Sequence, residues 1–216
     1  AEGALLVLLL LGLVINLKRG SWICTLAVVG LFFVSRLKIR YLLLLGVFAA
    51  GMLLLPPVWS RFSDLRHEFD TTRGGRATMW TRIAPPLVKA HPFGMGYRAL
   101  TETRMQELAR QQHIHVELDR DHLHSNPVQI LVSLGWIGLG VYVLWMAGGL
   151  AGGLRRVASA PRGSPGRAIL LSQLLMLTGL ILNGLVEYNF GDGELVLLYA
   201  VLLGIVGVRA ETDPSL

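Results

Sequence analysis

Two stretches of the chain hold residue types that can do chemistry. The first is Gly75-Arg76-Ala77-Thr78-Met79-Trp80, followed by His91-Pro92-Phe93-Gly94-Met95-Gly96. The second is Asp121-His122-Leu123-His124-Ser125-Asn126-Pro127-Val128-Gln129-Ile130-Leu131, followed by Gly135-Trp136-Ile137-Gly138-Leu139. In the second, polar residues run straight into an apolar segment, which predicts that a helix starts just after His124. The positive end of that helix favours the neutral imidazole, the form a general base needs, within reach of a substrate in the lipid interface. Arginine offers the complementary chemistry, because a guanidinium stays charged and grips phosphate through two parallel hydrogen bonds. Arg76, beside Trp80, and Arg19, beside Gly20 and Trp22, are the candidates for a diphosphate. The competing reading for both is contact with lipid headgroups. Trp80, Asp121, His122 and Glu187 are candidate supporting residues, Asp121 and Glu187 being able to orient His124 or to bind sugar.

The other histidines carry less. His113-x-His115 and His122-x-His124, with Glu117, Asp119 and Asp121 between them, have side chains that suit zinc. Their spacing matches no closed metal motif, and His-x-His on a helix sends its two rings in different directions. No metal and no cofactor is expected. His67, His113 and His115 read as solvated loop residues.

These groups must be positioned by a chain built for a bilayer. Of its 216 residues 53% are hydrophobic and 16% charged, against about 25% charged in an ordinary soluble domain. Disordered, collagenous and disulfide-stapled classes are excluded, and Cys24 has no partner cysteine. Apolar runs occupy about 4–17, 22–35, 41–59, 128–154, 168–188 and 194–208, continuous rather than alternating, which predicts six helical spans. Domain boundaries follow: helices over 1–60, an extramembrane loop domain over 61–127, and helices with a short tail over 128–216. The segment 60–127 holds ten of the twenty basic residues, eight of the fourteen acidic ones and all six histidines. Within it, 98–113 reads as an amphipathic helix with Leu100, Met105 and Leu108 on one side, and Thr103 with Gln106 as an alternative capping box. The fold class is all-α, polytopic, with a large helical loop domain between the third and fourth spans.

The net charge of +6 would suggest nucleic acid in a soluble protein, but here cytoplasmic loops and anionic lipids account for it, and no nucleic acid is expected. Arg36, Lys38 and Arg40, then Arg155, Arg156, Arg162 and Arg167, then Arg209 form three basic groups that the positive-inside rule places in the cytoplasm. The loop domain then faces outward. Gly148-xxx-Gly152 and Gly149-xxx-Gly153 allow close packing, either between copies or within the chain. The opening Ala1-Glu2-Gly3 lacks an initiator Met and a basic leader, and reads as an internal start, upstream spans being absent.

On these residues the chain resembles the O-antigen ligase superfamily of integral membrane glycosyltransferases. The family's His-(Asn)-x-x-Leu-Gln-x-Leu pattern, with its later Gly-x-x-Gly-Leu, is met by His124 to Leu131 and by Gly135, Gly138 and Leu139. Arg-x-x-x-Trp and His-Pro-x-x-Gly-x-Gly are met by Arg76 to Trp80 and His91 to Gly96, and a Ser-Arg-Gly-x-Trp turn by Lys18 to Trp22. Ser125, Val128 and Lys18 depart from the usual Asn, Leu and Ser. The resemblance implies an enzyme of the bacterial inner membrane with its site facing the periplasm. Its donor would be an O-antigen glycan on undecaprenyl diphosphate and its acceptor a hydroxyl of lipid A–core, with membrane lipids around it. Arg19 and Arg76 would hold the diphosphate, His124 would take the acceptor's proton, and the anomeric centre would invert. A polymerase, or a protein O-oligosaccharyltransferase, shares these features. The non-enzymatic alternative is a transporter or scaffold with an outward sensor domain, though a transporter should bury ionisable groups mid-span, where only Asn183 stands out.

Overall fold

The computed structural model describes residues 12, 15, 19–35, 39–63, 75–114 and 121–207. Among the described residues every regular element is helical, as the unbroken apolar runs require. In order they are α1 (Arg19–Ser35), α2 (Ile39–Leu53), α3 (Pro56–Ser63), α4, α5 (Glu102–Gln111), α6 (Asn126–Ser159), α7 (Pro165–Val186) and α8 (Gly193–Gly207). The element α4 is continuous but irregular, running Arg76–Thr78, a π-helical turn Met79–Ile83, then Ala84–Ala90.

Among the described residues two helices, α6 and α7, are long and apolar enough to cross a bilayer; the apolar parts of α1 and α8 are shorter. The expected span over 41–59 divides, because the helix ends at Leu53 and Pro56-Pro57 start a new one. Proline has no N–H to give to the preceding turn but sits well in a first turn. The expected helix over 98–113 begins instead at Glu102. Arg98 has φ +58°, which a helix cannot include, and Thr101 caps by accepting from the amide of Arg104. Leu100, Met105 and Leu108 are buried as the pattern predicts.

The helix α7 is apolar on every face and lies at the centre, with α1, α6 and α8 packed around it. Tyr142 and Met146 of α6, Leu177 of α7 and Tyr199, Leu202 and Leu203 of α8 form one core. Gly149 belongs to it: an added Cβ would lie 2.1 Å from Leu203 Cδ2, so the small residue serves packing within the chain. Around Gly148 the space is open to 4 Å. A second core joins α4, α5 and the start of α6 through Met79, Ile83, Leu87, Met105, Leu123 and Val132. Fully burying each such side chain outside the membrane contributes about 1.5–3 kcal/mol.

Candidate functional site

The glycines of the two motifs meet each other. The turn 91–96 lies against α6 where that helix breaks, at Gly135, whose φ is +69°. The amides of Met95 and Gly96 donate to the carbonyls of Val132 and Ser133, both at 2.9 Å, and the amide of Trp136 donates to the carbonyl of Pro92 at 3.1 Å. Peptide groups freed by the break are thereby satisfied, the condition for a broken helix in a dry place. A Cβ at Gly94 would come 2.4 Å from Ser133 O, and one at Gly135 2.4 Å from Pro92 O. Backbone here touches backbone, so these two positions must be glycine. The predicted span thus starts at Asn126 and divides at Gly135, leaving a short leading piece that points its N-terminus at the site.

That piece is tied to α4. Trp80 donates its indole N–H to the carbonyl of Leu123 at 2.7 Å, and the Leu123 amide donates to Gln129 Oε1 at 2.9 Å. Gln129 in turn reaches Ser133 Oγ at 3.2 Å. With Leu123 fully buried, the flanking His122 and His124 are held in place, His124 at φ +49° just before the Ser125 N-cap. Asn126, also fully buried, accepts at Oδ1 from the amides of Asn189 (2.7 Å) and Phe190 (3.2 Å). This clamps the loop between α7 and α8 beside His124.

The loop delivers Glu187, the cap residue of α7. Arg76 donates from Nη2 to Glu187 Oε1 at 2.7 Å and from Nε to the carbonyl of Val186 at 2.9 Å. The other carboxylate oxygen, Oε2, stands 3.5 Å from Nδ1 of His124. That is too long for a full hydrogen bond, and among the described residues nothing closer takes this nitrogen. One carboxylate therefore stands between the predicted cation and the predicted base. His124 is the most enclosed of the three, with 12% of its side chain exposed.

The remaining candidates fall around this centre. The ring of His122 is 4.4 Å from that of His124, and its Nδ1 is 2.9 Å from Asp121 Oδ1. The bond to His122 holds the Asp121 carboxyl below its usual range. The side chain of Arg19 lies outside the described residues. Its backbone opens α1, and an added Cβ at the next residue, Gly20, would meet Val186 and Asn183 at 3.5 and 3.7 Å, so the chain at Arg19 passes close to the Glu187 segment. His67, His115, Glu117 and Asp119 lie outside the described residues, and His113 is at φ +52° on the far end of α5. Among the described residues no three His, Cys, Asp or Glu side chains are grouped as metal ligands would be.

An open cleft of about 1370 Å³ runs from this centre between α1, α7 and α8. His122, His124 and Glu187 line one end, Val28, Val29, Leu175 and Met176 the apolar other end, and Leu195 and Leu198 of α8 line the cleft as well. Residues unremarkable in the sequence also reach it. Arg98, turned by its positive φ over the ring of Tyr97, and Tyr188, whose burial raises its phenol pKa, are on the wall. Nothing in sequence separates Arg98 from the other loop arginines. A positive charge, an imidazole and a carboxylate at the mouth of an apolar groove suit an anionic lipid-linked substrate and a proton transfer.

A family model described as O-antigen ligase matches residues 4–143. The chain belongs to the O-antigen ligase family. The match takes in both motifs and ends inside α6, so Arg76 and His124 lie within it and Glu187 beyond it. Neither a curated protein nor a solved structure matches the chain. Ligases and polymerases of this family are membrane-embedded, glycosyltransferase-like enzymes.

Proposed function

We propose that this O-antigen ligase family member moves a glycan from undecaprenyl diphosphate to a hydroxyl of lipid A–core at the periplasmic face of the bacterial inner membrane. The observation that carries this reading is the meeting of Arg76 and His124 on one carboxylate, Glu187, which with His124 lines a cleft whose other end is apolar. The prenyl chain would occupy the apolar end, between α1 and α7. Arg76, with Arg19 arriving at the start of α1, would hold the diphosphate and neutralise charge as it leaves. His124 would accept the proton of the acceptor hydroxyl through Nε2, since Nδ1 faces Glu187. A diphosphate leaves without being protonated, so no acid partner and no metal need enter the step, and direct attack inverts the anomeric carbon. Glycoside hydrolases differ because their leaving group must be protonated, which requires a second carboxyl.

The test is a lipopolysaccharide banding gel from cells lacking the gene, complemented with wild type or His124→Ala. General-base loss should lower transfer by about 100-fold or more, leaving bare core while long glycan accumulates on its lipid carrier and the variant still inserts. Core capped with a single repeat would make the protein a polymerase. An unchanged ladder would remove His124 from the mechanism.

A further inference from the structure

Glu187 stands between Arg76 and His124 and serves them unequally. It holds Arg76 at 2.7 Å and stands 3.5 Å from His124 Nδ1. Glu187 and His124 both line the cleft at this point, and Arg76 is bonded to the same carboxylate. A diphosphate that takes the guanidinium fork competes with this carboxylate for Nη2. Resting on the reading of Arg76 as the diphosphate holder and His124 as the base, we propose that Glu187 is a positioning residue that the donor switches, passing from Arg76 to His124 when the diphosphate arrives.

The geometry makes the exchange short. Arg76 is tethered at Nε by the Val186 carbonyl, so the arm stays while Nη2 is released toward phosphate. Phosphate competes well for it, carrying more charge than a carboxylate and matching the guanidinium fork. Glu187 then has less than 1 Å to travel to make a normal bond with Nδ1 (about 2.8 Å for a charge-assisted one). That bond fixes the tautomer with hydrogen on Nδ1 and the lone pair on Nε2, and it stabilises the imidazolium as it forms. In the step itself the acceptor O–H proton passes to Nε2 and its oxygen forms the new bond to the anomeric carbon. The bond from that carbon to the phosphate oxygen breaks, and its electron pair leaves with the lipid diphosphate. In this structure the carboxylate is held by Arg76, and the imidazole lacks this bond. The base is therefore assembled by the donor, and donor binds before acceptor.

The two functions of Glu187 predict changes in opposite directions. The whole protein in lipid nanodiscs is titrated with undecaprenyl diphosphate alone, and transfer is measured separately with the glycan-loaded donor and lipid A–core. Glu187→Gln should bind undecaprenyl diphosphate about threefold more tightly, since Arg76 no longer gives up its ion pair with Glu187, while kcat falls roughly 30–100-fold. If the Gln variant does not accumulate, Glu187→Asp replaces it, keeping the charge but drawing it back by one methylene, with the same pair of outcomes. Affinity that is unchanged or falls along with kcat would reduce Glu187 to a structural role and overturn the switch. Normal transfer by either variant would overturn it too. If wild type does not bind undecaprenyl diphosphate, or Arg76→Ala binds it as well as wild type does, the diphosphate reading itself fails.

Discussion

The two sides of the site are built in different ways. On the side of His124, peptide groups do the holding: the turn 91–96 is bonded to Val132, Ser133 and Trp136, and the Leu123 peptide is gripped from both faces by Trp80 and Gln129. On the side of Glu187, the chain arrives from α7 and is fastened by side chains: Asn126 takes the amides of Asn189 and Phe190, Arg76 bonds the Val186 carbonyl, and the Phe190 ring packs on Tyr142 and Trp145 of α6. The base thus sits in a frame with many redundant bonds. Its carboxylate partner sits in one held by side chains, which truncation of one residue can loosen.

Breaking the rigid side should have the larger effect. Gly94→Ala puts a methyl 2.4 Å from Ser133 O at a φ of +94°, and should cost about 2–4 kcal/mol. Thermal unfolding in detergent should show a clear fall in Tm, with activity lost together with the fold. A Tm within a degree of wild type would mean that the turn is not fastened to α6 as described. Asn126→Ala acts on the looser side. It leaves the amides of Asn189 and Phe190 without their acceptor, about 1–3 kcal/mol felt locally, and transfer should drop about tenfold while Tm falls less than for Gly94→Ala. Equal damage to Tm in the two variants would erase the distinction between the sides. The smallest effect belongs to the exposed pair Asp121 and His122. Because the folded carboxyl titrates below its unfolded value, its contribution is full above the unfolded value and fades as pH falls through the folded one. Wild type should therefore melt slightly higher than Asp121→Asn near neutral pH, and the gap should close on acidification. A gap that widens in acid would reverse the sign.

The sequence carries the rigid side plainly and the looser side hardly at all. Apolar runs locate α1, α6, α7 and α8 within a few residues, because a membrane helix is a local property of composition. They do not show where a run divides: Pro56 and Gly135 act through bonds that depend on what lies nearby. Arg98 was drawn into the helix of α5 by the same periodicity, and its backbone forbids it. Among the site residues, Arg76, Trp80 and His124 lie in patterned stretches. Glu187 is 111 residues from Arg76, and its place depends on a bond from Asn126 to a backbone amide 63 residues away. No local spacing encodes such a contact.

The joint at Gly135 also explains why the chain's most telling stretch looks so sparse when written out. Its bonds run between peptide groups, which every residue owns, so they are blind to the letters around them. Only where a side chain would intrude is a letter dictated, and that letter is glycine. Phe93 and Trp136 are 79% and 60% exposed on the outer surface of the joint, and their rings take no part in closing it. Both positions could be rewritten freely without the joint noticing, so whatever constrains them comes from the surroundings of the molecule and not from its interior.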